Sequence, residues 1–234
     1  MKALRRWLRP RFLLRVAAVV SLAWLALSAG TVFLLRWVDP PFTTVMLLQP
    51  GAVGDLKFEW VDRDRIARSA ARAVMASEDQ RFLEHHGIDF VSLDKALEQY
   101  RAGDGLRGAS TITQQVAKNV FLWQGRSLLR KALEAYFALL IELCWPKERI
   151  LEVYLNVAEF GPGVFGVEAA AQEYFDSKAE SLGTSQAALL AAVLPNPQRL
   201  RVTRPSAYVR SRQAWIVTQM RLLDARGHYR GIEW

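Results

Sequence analysis

Gly108-Ala109-Ser110-Thr111-Ile112-Thr113-Gln114-Gln115-Val116-Ala117-Lys118-Asn119 is the stretch on which the reading of this chain turns. Small residues lead into a Ser/Thr pair suited to capping a helix. In the helix that follows, Thr111, Gln114, Gln115 and Lys118 recur at i, i+3, i+4 and i+7 and share one face, while Ile112, Val116 and Val120 fall on the other and face a core. A stripe of amides ending in an ammonium is a grip for a sugar or a phosphate. Taken alone, it is also what any solvated amphipathic helix presents. The neighbouring sequence decides between the two.

Working outward, helical periodicity covers Ile66 to Ser77, Ser92 to Tyr100, Ser110 to Leu122, Ser127 to Trp145, Lys147 to Val157 and Val164 to Phe175. It resumes over Ser185 to Leu194, stopped by Pro195, and over Ser206 to Leu223. Thr44 to Leu48 is the one short strand candidate. Internal repeats and low-complexity tracts are absent. The pattern predicts a mainly α domain over 58–234.

Ahead of that domain, Val16 to Leu35 runs for 20 residues without a charge, enough to cross a hydrocarbon core of roughly 30 Å as a helix. Lys2, Arg5, Arg6, Arg9, Arg11 and Arg15 all precede it, so the positive-inside rule places residues 1–15 in the cytoplasm as a basic tail and the body outside. Ala26-Leu27-Ser28-Ala29 resembles a cleavage site, but the apolar run continues through Val32-Phe33-Leu34-Leu35, which favours an uncleaved anchor over 16–36. Asp39-Pro40-Pro41 breaks the helix and opens a linker and juxtamembrane segment over 37–57.

The net charge of +8 is concentrated in that tail: without its six cations the chain carries 25 basic against 23 acidic residues. A near-neutral body argues against general nucleic-acid binding. Cys144 is the only cysteine, which excludes an intramolecular disulfide and a cysteine metal site and leaves it the role of a small buried hydrophobe.

Two acids stand out. Glu78 lies just past an alanine-rich helix, against the negative end of its dipole, which raises a carboxyl pKa and suits a general base. Read in isolation, a surface acid near Arg81 is the preferred reading. His85 and His86 are adjacent and no HExxH spacing occurs, so no zinc site is expected. Glu134 follows Arg130 at i, i+4, the weaker orientation for a helical ion pair, so helix stability explains the pair poorly. With Lys118, Arg126 and Lys131 nearby in sequence, cations gather around two carboxylates.

At this point a resemblance is plain. Glu78-Asp79-Gln80-Arg81-Phe82-Leu83-Glu84-His85-His86-Gly87 is similar to the first motif of the peptidoglycan glycosyltransferases, glycosyltransferase family 51. The opening stretch resembles their second motif, and Arg130-Lys131-Ala132-Leu133-Glu134 the third. Lys147 to Asn156 resembles the fourth, and Gly161 to Ala171 with Tyr174-Phe175 the fifth. Five motifs in order, with Leu189 to Pro197 and one anchor, extend the likeness across nearly the whole chain. One departure is Arg107-Gly108-Ala109, where two glycines before the Ser are common; a small residue is kept.

The resemblance implies a lysozyme-like helical fold with a small membrane-proximal apolar lobe, for which Phe121, Leu122, Trp123 and Trp145 are candidates, although core packing also accounts for most of them. It implies polymerisation of lipid II into glycan strands, with inversion and release of polyprenyl pyrophosphate. Glu78 would be the base that deprotonates the acceptor hydroxyl, and Glu134 the second acid. Lys118, Arg126, Arg130 and Lys131 would contact pyrophosphate. Ser110, Thr111, Gln114, Gln115 and Asn119 complete the expected substrate-binding set. No cofactor is required, though Mg²⁺ or Mn²⁺ could be held with substrate phosphates. Expected partners are lipid II, the growing strand, the membrane and cell-wall synthesis proteins, at the bacterial inner membrane with the body in the periplasm.

The charge inventory supports this independently. A glycosidase must protonate a poor alkoxide leaving group, whereas a pyrophosphate leaves as an anion and mainly needs positive charge. Three rivals remain: a lytic glycosidase on the same fold, a non-catalytic membrane scaffold, which needs neither Glu78 nor Glu134, and a transpeptidase. The last rests on Ser92-Leu93-Asp94-Lys95 alone, with no Lys-Thr-Gly or Ser-x-Asn partner and no second domain.

Overall fold

The computed structural model describes residues 10–48, 56–103, 110–125 and 127–234. A long apolar helix, α1 (Pro10–Leu34), starts the described chain and is the only helix among the described residues long and apolar enough to span a bilayer. A short helix, α2 (Thr44–Leu48), follows. Strand β1 (Lys57–Phe58) then leads into α3 (Arg68–Glu78) and α4 (Phe90–Arg101). Helices α5 (Ile112–Phe121), α6 (Leu128–Cys144) and α7 (Lys147–Val157) come next. A hairpin of β2 (Glu159–Gly161) and β3 (Val164–Phe165) precedes α8 (Val167–Phe175), α9 (Thr184–Val193) and α10 (Ala207–Ala225).

Most predicted helices stand within a residue or two of their periodicity. Two readings change. Thr44 to Leu48 is a helix, not a strand: Thr44 Oγ1 donates to the carbonyls of Asn119 and Val120 at the end of α5. Val45 and Met46 are buried against the core there, so tertiary packing overrides the β preference of a Thr-Val pair. The segment over 37–57 is thus in part structural. The second change is at Val164 and Phe165, which pair in the sheet before α8 begins. Gly166 makes the break: its φ is +84°, and a Cβ there would lie 2.8 Å from the Asn156 carbonyl oxygen. Only glycine fits.

The sheet has order β1-β3-β2, parallel between β1 and β3 and antiparallel between β2 and β3. Helices α3, α9 and α10 pack together as one group, and α5 packs between α6 and α7 as another. The core is continuous across both, with Ile112, Val116 and Ile150 fully buried alongside Ala73, Ala188 and Ile216. Each large aliphatic side chain so buried contributes about 1.5–3 kcal/mol. Asn156 closes the seam between α7 and the entering chain. Its Oδ1 accepts from Val61 N and its Nδ2 donates to Val61 O, both at 2.9 Å.

Helix α1 lies along α6 rather than standing apart. Trp24 stacks on Tyr136 with ring centroids 5.1 Å apart. Ser28 Oγ and Tyr136 OH share a hydrogen bond of 2.7 Å, and Trp145 Nε1 donates to Val32 O at 2.7 Å. Below them Arg149, nearly buried on α7, donates to the carbonyls of Leu35 and Val38 and pairs with Asp39 at 2.7 Å and Glu152 at 2.8 Å. Arg36 donates to the Cys144 carbonyl at 2.6 Å. Cys144 itself is half-buried rather than buried.

Candidate active site

Glu78 is the last residue of α3, and Asp79 caps that helix. The two adjacent carboxylates have different tasks. Asp79 turns inward: His85 Nε2 lies 3.0 Å from each of its oxygens, and the backbone N–H of Ile112 donates to Oδ2 at 3.0 Å. It therefore holds the N-terminus of α5, where a negative charge meets the positive end of the helix dipole. Glu78 turns the other way, into a cleft. Its Oε2 accepts from Gln115 Nε2 at 3.0 Å and its Oε1 from Arg212 Nη2 at 3.4 Å. Burial is the largest influence on Glu78 and raises its pKa; Gln115, Arg212 and Lys118 oppose it. The direction matches the sequence expectation. Its cause is desolvation, not the helix end.

The polar stripe of α5 divides between two tasks. Thr111 and Gln114 form a capping box: Thr111 Oγ1 accepts from Gln114 N and Gln114 Oε1 accepts from Thr111 N, both at 3.1 Å. Thr111 also donates to the Gly87 carbonyl at 2.6 Å. Both side chains are buried. They turn inward to the cap instead of outward to a ligand, as the shared-face reading had them. Gln115 and Lys118, one turn on, face the cleft. Gln115 Oε1 accepts from Tyr154 OH of α7 at 3.2 Å, so both ends of its amide are engaged. The Lys118 ammonium makes no hydrogen bond or ion pair with another described residue. Burial lowers its pKa, against the opposing influence of Glu134 and Glu78.

On α6, Glu134 is buried and takes Arg130 Nη1 on Oε2 at 2.8 Å and Lys131 Nζ on Oε1. Lys131 also donates to Ser110 Oγ at 3.2 Å, linking α6 to the start of α5. Gly108, Ala109 and Arg126 lie outside the described residues, as does the departure at Arg107.

Two cavities open on either side of the Glu78–Gln115 hydrogen bond. One, of about 390 Å³, is lined by Gln115, Lys118, Asn119, Arg130, Tyr154 and Asn196, with Glu159 and others. The other, of about 310 Å³, is lined by Glu78, Gln80, Arg81, Ser92, Lys95 and Ser110, among others. A larger cavity of about 690 Å³ lies elsewhere, between the Arg63–Arg72 region and the Tyr229–Trp234 segment, and includes none of the expected site residues. Chemistry, not size, marks the site. Among the described residues no three His, Cys, Asp or Glu side chains converge to hold a metal ion. Ser92 Oγ is hydrogen-bonded to Asp89 at the start of α4, a capping role that leaves the Ser-x-x-Lys reading without support.

Sequence reasoning did not find Arg212 or Tyr154 as members of the site. Arg212 lies on α10, outside all five motifs. Tyr154 lies within the fourth but reads as a core aromatic in an apolar helix.

The transglycosylase family model matches residues 48–221. A biosynthetic peptidoglycan transglycosylase of Xanthomonas euvesicatoria pv. vesicatoria is 49% identical over 234 residues, covering 97% of this chain and 92% of that one. Proteins of the same name from Shigella boydii serotype 4 and Escherichia coli strain 55989 are 52% and 51% identical over 218 residues, each covering 90% of this chain and 88% of its own. The five motifs, the cleft they build and these likenesses agree: the chain belongs to the transglycosylase family, has its lysozyme-like helical fold, and is a peptidoglycan glycosyltransferase.

Proposed function

We propose that the cleft polymerises lipid II. Glu78 accepts the proton of the acceptor sugar's 4-hydroxyl as that oxygen attacks the anomeric carbon of the donor. The bond from that carbon to pyrophosphate breaks, polyprenyl pyrophosphate leaves with the electron pair, and the α-linked donor becomes a β-linked product. A base of raised pKa in a partly desolvated site is matched to this proton transfer.

The observation that carries the reading is Lys118. A half-buried ammonium without a direct partner, next to the Arg130–Glu134–Lys131 cluster, is a charge waiting for an anion. A leaving pyrophosphate supplies one, and fixed cations in a desolvated cleft stabilise charge that develops on it. Arg130 and Lys131 add to that wall, and Glu134 orients both. Ser110 and Asn119 border the substrate path, and Arg126 joins the cation set by its motif position. No protein-held metal is needed; Mg²⁺ or Mn²⁺ would be held with the substrate phosphates. A non-catalytic scaffold has no use for an uncommitted, half-buried lysine near a desolvated carboxylate.

Helix α1 serves as a single-pass anchor in the inner membrane, with the N-terminus in the cytoplasm and the body in the periplasm. Leu128, Leu129, Leu139 and Leu143 of α6 are exposed, as is Trp123. Packed beside α1, they form an apolar surface fitted to the outer leaflet, where the lipid tail of the substrate lies. Cell-wall synthesis proteins are the partners expected at that surface.

Incubation of the detergent-solubilised protein with lipid II, followed by gel separation of the products, tests the reading. A ladder of glycan strands is expected. Cleavage of preformed strands without growth would instead identify a lytic glycosidase.

A further inference from the structure

Gln115 poses a question of orientation. Its amide has an oxygen and a nitrogen of nearly equal shape, and either could face Glu78. An ionised carboxylate only accepts, so the amide must present its NH₂ for Glu78 to be held in its basic form. The opposite orientation sets oxygen against oxygen. What lies behind the amide therefore matters to what happens in front of it.

Behind it is Tyr154 OH, 3.2 Å from Gln115 Oε1. The tyrosine is 1% exposed and has no other hydrogen-bond partner among the described residues. We infer that Tyr154 is a positioning residue for the glycosyl transfer: its hydroxyl donates to Gln115 Oε1, fixes the amide with Nε2 toward Glu78, and so holds the base ready between turnovers. The inference rests on Glu78 being the base. Burial, with Glu78 and Asp79 adding to it, pushes the phenol well above its ordinary range, so it keeps its proton and remains a donor at any working pH. The charged groups acting on Glu78 are Arg212 from α10 and Lys118 from α5, while Asp79, next in the chain, acts on the phenol. All of these stay in place when the tyrosine hydroxyl alone is removed.

Tyr154→Phe keeps the buried ring and deletes the donor. The amide then keeps its orientation through Glu78 alone, its donation to the carboxylate weakens, and Glu78 binds its proton more readily. In the pH profile of kcat/KM for lipid II polymerisation, which reports groups of the free enzyme, the acid limb is expected to move to higher pH. Activity near neutrality should fall about three- to ten-fold, the size of one net hydrogen bond, and recover toward the parent at alkaline pH. Gln115→Leu should move the limb in the same direction, and Tyr154→Phe added to Gln115→Leu should have no further effect, because Tyr154 acts through Gln115. A Tyr154→Phe profile superimposable on the parent, or one lowered equally at every pH, overturns the inference. If Tyr154→Phe does not fold, an unmoved limb in Gln115→Leu overturns it as well. Glu78→Gln run alongside separates the two levels. If that variant stays active, the assignment of the base fails. If it is inactive while Tyr154→Phe behaves as the parent, the positioning role alone fails.

Discussion

Glu134 Oε2 lies 2.8 Å from Arg130 Nη1, and the two side chains are 5% and 12% exposed. This carboxylate takes up much of the positive charge on its own helix, since Lys131 shares its other oxygen. Removing one member of a buried pair strands the rest, typically at about 3–5 kcal/mol. Glu134→Gln is therefore expected to lower the melting temperature and the turnover together, measured by thermal unfolding in detergent and by the polymerisation assay. An unchanged melting temperature would mean the cluster is solvated.

Glu78→Gln separates activity from stability. Loss of the base should lower polymerisation by on the order of 10²–10⁴-fold. The folded state raises the Glu78 pKa, so it holds this proton more tightly than the unfolded chain does. Ionised Glu78 therefore costs stability. The cost is absent below the ordinary glutamate range, grows as pH rises toward the folded value, and is complete above it. The variant should match the parent's melting temperature at low pH and exceed it near neutrality. For a chain of this size each 1 kcal/mol relieved reads as about 2–4 °C. A variant less stable than the parent at pH 7 would contradict the sign.

For Lys118 the sign is opposite in charge and the same in consequence. Its lowered pKa means the folded state disfavours the ammonium, a penalty present below the folded pKa and lost above the ordinary lysine range. Lys118→Met is expected to raise stability at neutral pH, with the gain fading under alkaline conditions. Lys118→Ala should weaken use of the lipid-pyrophosphate donor. Unchanged KM and kcat for the donor would remove Lys118 from the leaving-group site.

Arg149 tests the junction with α1. It satisfies the carbonyls of Leu35 and Val38 and pairs with Asp39 and Glu152. Arg149→Met keeps the stem and leaves these acceptors without a donor, so a fall of several degrees in melting temperature is expected. Faster proteolytic cutting near Asp39 should accompany it. Equal cutting rates would show that the junction holds without the guanidinium.

The sequence made much of this legible, for physical reasons. The helices of the body announce themselves because each buries one apolar stripe, whereas Glu78 and Lys118 each have an ordinary surface reading alone and stand out, with Glu134, only through the motifs around them. What stayed hidden depended on direction within a face. Thr111 and Gln114 share a stripe with Gln115 and Lys118, yet the capping geometry of the first turn draws them inward, which spacing alone does not reveal. Arg212 arrives from α10, more than 130 positions from Glu78 in sequence, and no local pattern marks it. Thr44 to Leu48 reads as extended by composition, and only the end of α5 makes it helical.

The hydrogen bond from Ile112 N to Asp79 bears on how far the cleft can open. It joins the residue beside the base to the first residue of the helix carrying Gln115 and Lys118, and both partners are buried. A hinge that opened the groove by parting α3 from α5 would have to break that bond and leave the buried Asp79 with His85 as its remaining partner. The bond ties the two walls together beside Glu78, so any widening of the cleft at that end is opposed by a buried, charge-assisted hydrogen bond.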